Sequence, residues 1–76
     1  MAPTPQLITC LEKAKLFREL SSAMAAILAL NTREMVAVIA GKFADLGAIQ
    51  AELQQARERK SSMLLAYTDH VETHGC

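Results

Sequence analysis

The chain has 76 residues, 51% of them hydrophobic, and its eight basic and eight acidic side chains cancel. That length bounds it to one small domain, in which oligomerisation is a common remedy for a thin core. Balanced charge sets up no field to attract nucleic acid or an anionic membrane, and one Tyr, two Phe and no Trp leave no platform for base stacking.

Cys10 and Cys76 stand near opposite ends rather than in a spaced framework, which fits a reducing compartment. The first residues carry no positive segment followed by an apolar core, so the expectation is a soluble, cytoplasmic protein. The weakly polar run from Leu20 to Leu30 is too short to cross a bilayer.

In chain order, Met1 to Pro5 contains both prolines and no pattern, and reads as a flexible tail over residues 1–5. Thr4 is placed as an N-cap with Pro5 at the first helical position. Leu7, Leu11, Ala14, Phe17, Leu20, Met24, Ile27 and Leu28 then follow helical spacing, which predicts helix one over 6–30. Alanines between Ser21 and Ala29 permit close approach of a neighbouring helix. Leu30-Asn31-Thr32-Arg33-Glu34 is the clearest punctuation, because Asn tolerates the left-handed conformation and Asn31 with Glu34 has the spacing of a capping box.

A long second helix is predicted over 32–74. Its seam runs Met35, Ile39, Lys42, Leu46, Ile49, Leu53, Ala56, Lys60, Met63, Tyr67, His70 and His74, alternating steps of four and three as a helix does when one stripe faces a partner. Gly41 and Gly47 interrupt it, each costing about 1 kcal/mol against alanine inside a helix. The alternative is a three-helix bundle with a break near Gly47. Lys42 and Lys60 on the seam either fix register or lay their stems along apolar surface with the ammonium in water. The fold class expected is all-α, a long helical hairpin.

At about 1.5 Å per residue, helix one spans about 39 Å and helix two about 65 Å. Helix one therefore covers its neighbour only to about Gln54, leaving Met63, Leu64, Tyr67 and Val71 as an uncovered stripe. Together with Leu53, these residues form the expected interface, and a homodimer packed as a helical bundle is the expected assembly. A different protein is the other occupant considered for that stripe.

His70, His74 and Cys76 are the one cluster of metal-ligand types. Histidines four apart share a helix face, and Gly75 can turn Cys76 back toward a zinc or other transition ion. Against this, histidines in a last turn are favoured by the helix dipole and glycine just beyond is an ordinary stop. No catalytic residue set, phosphate loop or organic cofactor site emerges. The functional expectation is a non-enzymatic protein acting through protein contacts as an adaptor, chaperone-like factor or assembly subunit, with a metal-binding or metal-sensing bundle as the alternative.

Overall fold

The structure, a computed structural model, describes the backbone from residue 4 to residue 74 and side chains from residue 11 to residue 73. It is all-α, with no strand among the described residues. Helix α1 runs Thr4–Ala40, a single 3-10 turn spans Phe43–Asp45, and α2 runs Leu46–His74. Pro5 falls in the first turn of α1, where a missing backbone N–H removes no helical bond.

The chain turns at Gly41 and not at Asn31. Gly41 sits at φ +72, the left-handed region that a side chain disfavours. Its N–H donates to the Val38 carbonyl at 3.1 Å, and the Lys42 N–H reaches back to the Ala37 carbonyl at 2.8 Å. These two bonds form a Schellman motif with Gly41 at the position just past the helix, and they satisfy carbonyls that the helix end would leave orphaned. The Asp45 N–H then donates to the Lys42 carbonyl at 3.1 Å, closing the short turn that leads into α2. Asp45 places a carboxylate beside the α2 N-terminus, on the favourable side of the helix dipole.

The boundaries 6–30 and 32–74 are therefore corrected. Within the segment read as a cap, Thr32 Oγ1 donates to the Leu28 carbonyl at 3.1 Å within the helix, and Glu34, one of the two capping-box residues, accepts a bond from Gln50 on α2 at 3.4 Å. A Thr hydroxyl bonded to the carbonyl four residues earlier is satisfied within a helix without ending it. Nor does the chain break at Gly47, which lies in the first turn of α2.

The two helices lie side by side. Arg33 faces Glu52 at 3.6 Å, and the Phe17 and Tyr67 rings meet at 5.8 Å, inclined by 52°. Residue number rises on one helix as it falls on the other, so they run antiparallel. The result is a rod of 63 × 14 × 13 Å, with a core that is a line of contacts between two helices. Its buried centre is Leu30, Ala37, Ile49 and Leu53, flanked by Ile27, Leu46 and Ala56. Leu20 and Ala23 continue it toward the far end.

Candidate interaction surface

The heptad seam proposed from the sequence is real only from Leu46 onward. Leu46, Ile49, Leu53, Ala56, Lys60, Met63, Tyr67 and His70 are all buried or half-buried, whereas Met35, Ile39 and Lys42 are exposed. Those three belong to α1 and the turn, where the phase is set by a different stripe. That inner stripe of α1 is Leu16, Leu20, Ala23, Ile27, Leu30, Glu34 and Ala37, none of them exposed. It too steps by four and three. Lys60 is half-buried at a level where α1 offers Ala23, whose side chain is 0% exposed; a small residue there leaves room for the lysine stem.

Helix α1 reaches well past Gln54, so the uncovered overhang expected on α2 does not exist. Met63, Tyr67 and Val71 are half-buried against the chain's own α1, and Leu53, at 2% exposure, belongs to the hairpin core. Of the expected interface residues, only Leu64 is exposed. The reason is the position of the turn. Moving it ten residues toward the C-terminus lengthens α1 and shortens α2 until the two cover each other.

The longest run of exposed apolar side chains lies instead on α1, with Phe43 in the turn and Leu64 and Leu65 on α2 exposed as well. Phe17, Met24, Leu28 and Met35 form a second heptad stripe, one residue beyond the inner one. One residue is about 100° around a helix, so Met24, Leu28 and Met35 point roughly a quarter-turn away from α2, while Phe17 at the end of the stripe leans back to meet Tyr67. Leu28 is 69% exposed and Ile39, at the stripe's end, 78%. From Leu20 to Thr32 the helix carries no charged residue on any side. Sequence reading merged Phe17, Met24 and Leu28 with Leu20 and Ile27 into one face, but the structure separates them. The signal that could have split them was the α2 seam, which is narrow enough to cover only one stripe.

No family model, curated protein or solved structure matches this chain. The surface must therefore be read from its own chemistry. By length and composition, Leu11–Ala40 is apolar enough to cross a membrane, and only 17% of its most apolar window is buried. Along α2 an open groove is lined by Gln50, Leu53, Gln54, Arg57, Glu58, Ser61 and Ser62 together with Glu34 of α1, mostly polar side chains one residue past the α2 seam.

The metal candidate is only partly described. His70 lies on the α2 seam, half-buried, and α2 continues as helix to His74, so the two histidine positions are one turn apart. The His74 side chain and all of Cys76 lie outside the described residues. Among the described residues, no three of His, Cys, Asp and Glu gather as a metal-binding group.

Proposed function

We propose that this chain is a non-enzymatic helical protein that acts through protein contacts, as an adaptor, chaperone-like factor or assembly subunit, and that its first partner is a second copy of itself. The observation that carries this reading is the outer stripe of α1. Four large apolar side chains at heptad spacing, each between 43% and 69% exposed, are an association surface in the making. A hairpin of two helices buries one stripe per helix, and a four-helix bundle buries two.

The placement of the charges favours a helix that does not span a membrane. The uncharged stretch from Leu20 to Thr32 is about 20 Å long at about 1.5 Å per residue, short of a hydrocarbon core of about 30 Å. Crossing would draw Arg33 and Glu34 inward, and with them Glu52 of the helix packed alongside. Charges at that depth are costly.

Sedimentation equilibrium of the purified chain tests the proposal. The expected mass is twice the 8.3 kDa of one chain. Leu28→Glu, which changes a side chain 69% exposed in the hairpin, is expected to return the mass to a single chain while leaving the helical signal at 222 nm in place. A monomer for the unmodified chain, or one that floats with lipid vesicles, overturns the reading. The metal-binding alternative is supported by the unbroken helix between His70 and His74; it requires stoichiometric zinc binding that His70→Ala/His74→Ala abolishes.

A further inference from the structure

We infer that two copies join through α1 in antiparallel fashion, with a two-fold axis passing at the level of Ala26; this rests on the self-association proposed above. The outer stripe of α1 reads Phe17, Ser21, Met24, Leu28, Asn31 and Met35. It is symmetric in chemistry about its midpoint. An antiparallel pairing centred there sets Phe17 against the other copy's Met35, Ser21 against its Asn31, and Met24 against its Leu28. Apolar meets apolar, hydroxyl meets amide, and each layer occurs twice, as an isologous interface demands.

Two further observations select this arrangement. The outer stripe stands about 100° from the inner one, close to the corner angle of a square of four helices. With a two-fold perpendicular to α1, the two α2 helices fall on the same side and complete the square. Every neighbouring pair is then antiparallel, the up-down arrangement of simple bundles. A parallel pairing would throw the α2 helices to opposite sides and leave a flat layer with no closure.

Area is the second. Applied to side chains of about 200 Å² each, the exposures of Phe17, Met24, Leu28 and Met35 give roughly 400 Å² of apolar surface per copy. Both copies together, with Ser21, Asn31, Val38 and Ile39 at the edges, reach about 1,000 Å², the lower bound for a specific interface.

Engineered cysteines distinguish the outcomes. In a Cys10→Ser/Cys76→Ser background, Ser21→Cys, Asn31→Cys and the double variant carrying both are exposed to a glutathione redox buffer and run on non-reducing gels. Both positions are exposed, and circular dichroism checks that each variant remains helical. In the antiparallel geometry, identical positions lie about 15 Å apart along the axis, beyond the roughly 7 Å limit for a disulfide. Each single variant is therefore expected to stay uncrosslinked, while the double variant becomes mostly covalent dimer. Single variants that crosslink overturn the antiparallel geometry and leave the dimer standing. Sedimenting dimers that crosslink in no variant overturn the α1 stripe as the interface. A sedimenting monomer overturns the self-association on which the inference rests.

Discussion

Two alanine substitutions six residues apart are expected to move stability in opposite directions. Gly41 holds φ +72, and a Cβ built there meets nothing within 4 Å. Steric crowding by neighbours is therefore absent, and the cost of Gly41→Ala is the backbone strain of an L-residue in the left-handed region, about 1–2 kcal/mol. Alanine also restricts the unfolded chain, which offsets about 0.4–1 kcal/mol, so the net loss is about 1 kcal/mol. Gly47 lies in α2 with open space around its Cβ position, and Gly47→Ala is expected to stabilise by about 0.5–1 kcal/mol. Urea denaturation followed at 222 nm reads both at one fixed protein concentration. With a slope of about 1 kcal/mol/M, the midpoints shift by about 1 M downward for Gly41→Ala and by about 0.5–1 M upward for Gly47→Ala. If both variants become more stable, position 41 is ordinary helix, the chain is a straight rod, and the reasoning about the turn fails.

The core and the surface give contrasting results. Leu53→Ala removes a side chain 2% exposed beside Leu30, Ala37 and Ile49 and is expected to cost about 2–5 kcal/mol, enough to leave a chain with so thin a core largely unfolded on the same urea assay. Leu65→Ala, at a side chain 70% exposed, is expected to stay within about 0.5 kcal/mol. The Arg33–Glu52 pair, at 3.6 Å with both side chains more than half exposed, is expected to show a coupling of no more than about 1 kcal/mol in a double-mutant cycle, falling as salt is raised. A larger, salt-independent coupling would mean that the pair is buried in the assembly.

The all-α architecture was legible because helical spacing persists with hardly an interruption from Leu7 to His70. The α2 seam was legible too, since Ile49, Leu53 and Ala56 alternate cleanly with charged and amide residues such as Glu52, Gln54 and Arg57. The turn was not. A Schellman stop at Gly41 is made by backbone bonds from Gly41 and Lys42 to the carbonyls of Val38 and Ala37, and no proline or side-chain cap advertises it. Asn31 and Glu34 carried the more familiar signature, yet Thr32 between them bonds within the helix and Glu34 itself accepts a bond from α2. That ten-residue error in the turn displaced the apolar surface from α2 to α1. The inner face of α1 was hidden for a related reason. A helix apolar on several sides, with Ala23 and Ala37 at its tightest contacts, gives periodicity little contrast with which to choose a face.

The most direct test of the central claim is native mass spectrometry of the unmodified chain, purified without chelator. The account predicts a dimer at twice 8.3 kDa, held by the outer stripe of α1. A single chain with Phe17, Met24, Leu28 and Met35 still open to solvent would contradict it.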